Sequence, residues 1–165
     1  MSKHAITVLI VALCILAVMG GLLAAYTQLA HEDFEENITV SKEGRTTSTV
    51  EVNNLVLYPA TSRTYTVHLR CKASGTYHIS LSYEEKNNGG LKPFVNVTVK
   101  AGGQTQWSGT LEDLLAGNAT PTFSGELQEK DSFDVQIIYE MPGEVGNEAQ
   151  DTFADFDVHF TIEKE

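Results

Sequence analysis

The chain has 165 residues and a formal net charge of −11 at pH 7, with 22 Asp and Glu against 11 Lys and Arg. That balance argues against a nucleic-acid partner, whose phosphates need Lys and Arg, and against electrostatic attraction to anionic membranes. Of the two cysteines, Cys14 lies inside an apolar run and only Cys71 lies beyond it. No internal disulfide is therefore expected, and Cys71 reads as a small buried apolar residue rather than a nucleophile.

Residues 5–26, AITVLIVALCILAVMGGLLAAY, carry no charge, with Lys3 and His4 before them and the acidic HEDFEE of residues 31–36 soon after. About 20 apolar residues can cross a bilayer as a helix. The positive charge on the amino side predicts a cytoplasmic amino end and export of the rest. A cleaved secretory signal and an uncleaved anchor both fit. Gly20 and Gly21 weaken a helix, and Ala24 and Ala25 suit a signal-peptidase pocket, so cleavage at Ala24 or Ala25 is the favoured reading. Residues 1–25 are thus expected to be a signal peptide or membrane anchor. Residues 26–48 should form a flexible segment or a possible donor strand, and residues 49–165 one β-sandwich domain, about the size of an ordinary single core.

Residues 31–37 are acidic without periodicity and read as a linker; residues 37–41 could form a short strand, and the polar stretch 42–48 a turn. Residues 49–53 alternate until Asn53 and Asn54 interrupt them, and Pro59 ends pairing after residues 55–58. In residues 64–71, Tyr65, Val67, Leu69 and Cys71 share one face; in residues 77–83, Tyr77, Ile79, Leu81 and Tyr83 do. Period-two alternation marks half-buried strands, and the turn composition of residues 73–76 predicts a hairpin between these two. The charged stretch 84–90 should be a loop. Val95, Val97 and Val99 mark the next strand, and residues 106–110 its return. Thr110 and Asp113 have the spacing of a capping box ahead of Leu111, Leu114 and Leu115, and Gly117 stops that short helix. Residues 123–127 and 133–139 read as strands, 141–151 as a polar loop, and 154–162 as a last strand with Phe156, Val158, Phe160 and Ile162 inward. Eight or nine short strands at even spacing imply an all-β antiparallel sandwich or barrel.

Four stretches resemble one family. GGLLAAYT (residues 20–27) resembles a signal cut by a dedicated signal peptidase. LVLYPATSRTYTV (55–67), WSGTLEDL (107–114) and GNEAQDTFADFDVHF (146–160) resemble, in order, its proline turn and strand, its strand and short helix, and its last strand. The chain thus resembles the TasA–camelysin group of exported Gram-positive biofilm-matrix and cell-surface proteins. It departs from the pattern at Ala60, where glycine is usual, and in lacking a clear glycine-containing first strand. The resemblance implies a jelly-roll sandwich and fibres in which the amino-terminal segment of one subunit completes the sheet of the next. Ile38 and Val40 would then be the assembly-strand residues. The expected partners are further copies of the chain, a signal peptidase and other matrix or surface components, with no nucleic acid and no cofactor.

Some members of that group carry a metallopeptidase label. The His-Glu-x-x-His signature of a zinc peptidase is absent, as are a nucleophile elbow and a phosphate loop. His68 and His78 fall on the outward faces of the expected hairpin, but two histidines are an incomplete zinc site and a solvated face is the stronger reading. Asp155 and Asp157, with Glu144, Glu148 and Asp151, lack the loop spacing of a calcium hand. No catalytic or metal residue is therefore assigned. A membrane-anchored surface module for a glycan or protein is the alternative, with Trp107 as its aromatic.

Overall fold

The computed structural model describes residues 34–42 and 44–165. The apolar stretch, with Cys14, Ala24 and Ala25, lies outside the described residues. Nine strands follow in chain order: β1 Phe34–Val40, β2 Arg45–Leu55, β3 Thr61–Cys71, β4 Gly75–Gly89, β5 Asn96–Ala101, β6 Gln104–Thr110, β7 Thr122–Leu127, β8 Ser132–Met141 and β9 Phe153–Lys164. One short α-helix, α1 Leu111–Leu115, separates β6 from β7.

The strands form two sheets, ordered β1-β3-β8-β5-β6 and β2-β9-β4-β7. Without β1, these are the two four-stranded sheets of a jelly roll. Every pair is antiparallel except β1–β3, which runs parallel. The parallel pair is possible because the chain visits the other sheet through β2 before returning as β3.

Alternation places the core. Val50, Val52, Ile79, Leu81, Phe156, Val158, Phe160 and Ile162 from one sheet are buried with Val67, Leu69, Val97, Val99, Val135 and Ile137 from the other. At the centre the rings of Tyr139 and Phe156 meet edge-on across the sheets, with centroids 5.5 Å apart. The hydroxyls of Tyr83 and Tyr139 lie close together in this core, and burial pushes both phenols well above their ordinary range.

The helix forms as its cap predicts. Asp113 N–H donates to Thr110 Oγ1 at 3.2 Å, Leu111 and Leu114 face inward, and Gly117 takes the left-handed conformation that ends the turn. Cys71 is buried, as its place on the inward face required.

Three expectations are corrected. β3 and β4 do not form a hairpin: β3 pairs with β1 and β8, β4 with β7 and β9, and the short link between them crosses from one sheet to the other. Residues 84–89 are strand rather than loop, because β4 keeps pairing with β9 to Gly89 beyond the end of β7. There β4 is an edge, and its polar side chains face solvent. Strand β2 begins at Arg45 and passes through Asn53 and Asn54 with a bulge. Asn54 adopts a left-handed φ of 53° there, and its N–H donates to the Asp155 carboxylate.

Candidate functional site

Within the stretch 26–48 read as flexible, residues 34–40 are strand β1, seated at one edge of the larger sheet. Its register on β3 runs from Phe34 opposite Tyr65 to Val40 opposite Cys71. Phe34, Glu36, Ile38 and Val40 share the inward face. Ile38 is 3% exposed and Val40 1%. Burying two such side chains contributes about 3–6 kcal/mol relative to leaving them in water. Phe34 is 42% exposed, but its ring packs on Tyr65 with centroids 5.2 Å apart. Tyr65 in turn meets Tyr139 at 5.5 Å. A line of rings thus connects the edge strand to the centre of the core.

The outer face of β1 carries Glu35, Asn37 and Thr39. Glu35 reaches His68 on β3, with Oε2 3.9 Å from Nε2, a contact that is an ion pair only when the imidazole is protonated. The other ring nitrogen, Nδ1, lies 2.7 Å from Asp134 Oδ1 on β8. Ser132 Oγ donates to the same carboxylate oxygen at 2.9 Å and sits 3.5 Å from Nδ1. The hydrogen bond from His68, followed by that from Ser132, holds the Asp134 carboxyl below its ordinary pKa. Ser, His and Asp are together here, but serine and aspartate crowd one nitrogen. In a nucleophilic triad the imidazole bridges the two. The cluster therefore ties β1, β3 and β8 together and does not activate Ser132.

Among the described residues nothing pairs with β1 on its outer edge, and β3 would be the edge if β1 left. A slot of seven residue pairs, in which Ile38 and Val40 are buried, is thus filled by a strand that has a single hydrogen-bonded neighbour. Residues 41–44 link it to β2, with Gly44 at a φ of 80°.

The other sequence candidates disperse. His68 and His78 lie on different sheets, so they form no pair. Asp157 pairs with Lys86, whose Nζ is 2.7 Å away, and Asp155 holds the Asn54 bulge. Glu148 turns back to accept from Gly146 N–H at 3.1 Å. Among the described residues no group of three or more His, Cys, Asp or Glu is arranged to hold a metal. Trp107 is partly buried against the core and covers Gly109 so closely that a Cβ there would sit 2.5 Å from the indole. Among the described residues the large exposed aromatics are Phe34 and Tyr58 instead. Phe34 was missed, because residues 31–37 read as an acidic linker without periodicity, whereas the structure makes Phe34 the first residue of β1. Asp134, 66 residues from His68, had no local signal.

No family model matches the chain, and no curated protein matches it. Among solved structures, the chain is similar to PliG of Aeromonas hydrophila, a periplasmic inhibitor of g-type lysozyme. The identity is 11% over 79% of this chain and 99% of that one, with a TM-score of 0.38. It is similar also to the C-terminal CBM6 of LamC from Zobellia galactanivorans, at 9% identity over 73% of this chain and 99% of that one, TM-score 0.34. The CUB1-EGF-CUB2 domains of rat MASP-1 give 9% identity over 76% of this chain and 42% of that one, TM-score 0.35. Likenesses at this level carry no functional inference.

Proposed function

We propose that the chain is an exported structural protein of the cell surface or extracellular matrix, with no catalytic step of its own, that assembles by passing β1 from one subunit to the next. The observation that carries this is the seat of β1: an edge strand, parallel to its one neighbour β3, with Ile38 and Val40 buried in the core. A strand transferred to the equivalent slot of a neighbour recovers the same pairing and burial, so exchange costs little. Main-chain hydrogen bonds then give affinity, and the burial of alternate side chains fixes the register. The resemblance to the TasA–camelysin group agrees with this reading, as does an apolar export segment just ahead of β1.

While the apolar segment is attached, the start of β1 is tethered at the membrane. Cutting at Ala24 or Ala25 releases it. The test is electron microscopy of the secreted chain with its new amino end determined by sequencing. Fibres from the cleaved chain, and none from a chain carrying bulky substitutions at Ala24 and Ala25, are expected. A cleaved chain that stays monomeric at high concentration and across pH overturns the proposal.

A further inference from the structure

The link from β2 to β3 and the link from β8 to β9 enclose an open groove of about 440 Å³. It is made of residues 56–59 on one side and 145–147 and 149–152 on the other, and uses no residue of β1 or its slot. Buried Leu57 and Ala149 form an apolar floor. Tyr58, 53% exposed, supplies an aromatic wall, and Asn147, Gln150 and Asp151 supply a polar one.

Both walls are fixed by their own bonds. Pro59 and Ala60 occupy the middle of a turn closed by Thr61 N–H donating to the Tyr58 carbonyl at 3.0 Å. The Thr61 hydroxyl donates to the same carbonyl at 2.7 Å. Opposite, Gln150 N–H donates to the Asn147 carbonyl at 3.1 Å, and Thr152 Oγ1 donates to the Ala149 carbonyl at 2.8 Å. Each side also holds a non-glycine residue in the left-handed region, Ala60 at φ 62° and Asp151 at φ 57°. Such conformations cluster where a ligand is clamped. A groove already rigid loses little freedom on binding.

We infer that this groove binds a neutral oligosaccharide. No Lys or Arg lines it, so an anionic ligand has no cation to meet. A purely apolar ligand would make no use of the exposed Asn147, Gln150 and Asp151 side chains along one wall. A sugar ring satisfies both walls. Its C–H face lies on the Tyr58 ring, and its hydroxyls meet amides that both donate and accept and a carboxylate that accepts. The volume lies within the range of small-ligand sites.

The test is calorimetric titration of the full-length chain in mild detergent with cellotetraose, maltotetraose and chitotetraose. Tetragalacturonate is the acidic counter-probe and tetralysine the cationic one. Binding of at least one neutral tetrasaccharide is expected, weakened roughly tenfold by Tyr58→Ala, which removes the stacking face, and little changed by Tyr58→Phe. Asp151→Asn, which tolerates the same backbone, should weaken it several-fold. Circular dichroism of each variant confirms the fold. The inference is overturned if no neutral probe binds at millimolar concentration, if Tyr58→Ala binds as the parent does, or if either charged probe binds more tightly. Fibre assembly through β1 is unaffected by any of these results.

Discussion

Strands β1 and β9 carry the same kind of sequence and lead opposite lives. Both alternate, and both turn one face to the core. Strand β9 sits between β2 and β4, pairs along both edges, and buries Ala154, Phe156, Val158, Phe160 and Ile162. Strand β1 has one neighbour and buries Ile38 and Val40. Alternation fixes which side chains face inward; the number of hydrogen-bonded neighbours sets how many main-chain bonds a strand must break to leave. The comparison marks β9 as the centre of the fold and β1 as an edge strand, which the proposed assembly takes to be its removable part.

The largest effect should come from Phe156→Ala, which empties a site touching Tyr83 and Tyr139. A loss of about 3–5 kcal/mol is expected in urea unfolding, with assembly lost because the fold is lost. Ile38→Ala separates the two strands more sharply. It should cost about 2–3 kcal/mol at most, leave the far-ultraviolet spectrum native, and still abolish fibres in electron micrographs. Equal damage from both substitutions would erase the distinction between the strands.

Ala60→Gly tests the backbone away from both. At φ 62° alanine is disfavoured, and glycine should raise stability by roughly 0.5–1 kcal/mol after its greater unfolded-state freedom is counted, read as a higher Tm. The smallest effect concerns acid. The folded Asp134 carboxyl is held below its unfolded value, chiefly by His68, so its contribution is present above the ordinary carboxylate pKa and fades as pH falls through the depressed one. Asp134→Asn should flatten the stability profile below about pH 4 and leave Phe156-centred packing untouched.

Much of the fold was legible because its core strands are half buried. Val95, Val97 and Val99, or Phe156 to Ile162, could only face one way. The Thr110 cap announced its helix by local chemistry. What escaped notice depends on partners distant in sequence. Residues 84–89 look like a loop because an edge strand may be polar on both faces, and only pairing with β9 makes them strand. The hairpin between β3 and β4 failed because a short turn looks the same whether it folds back within a sheet or crosses to another. At the candidate site, Ile38 and Val40 were readable, whereas Glu35, His68 and Asp134 meet across three strands. Tyr58 gained its meaning only when residues 145–152 were placed opposite it.

The central claim is that β1 changes hands, and the register offers a direct measurement. Val40 is the partner of Cys71, the one cysteine of the described residues. A Val40→Cys chain, concentrated after removal of residues 1–25 and then oxidised, should run as a ladder of covalent multimers on a non-reducing gel. The ladder should collapse with reductant and be absent when Cys71 is replaced by Ala. A single monomer band with an internal disulfide, from a preparation that still contains fibres, would contradict the account.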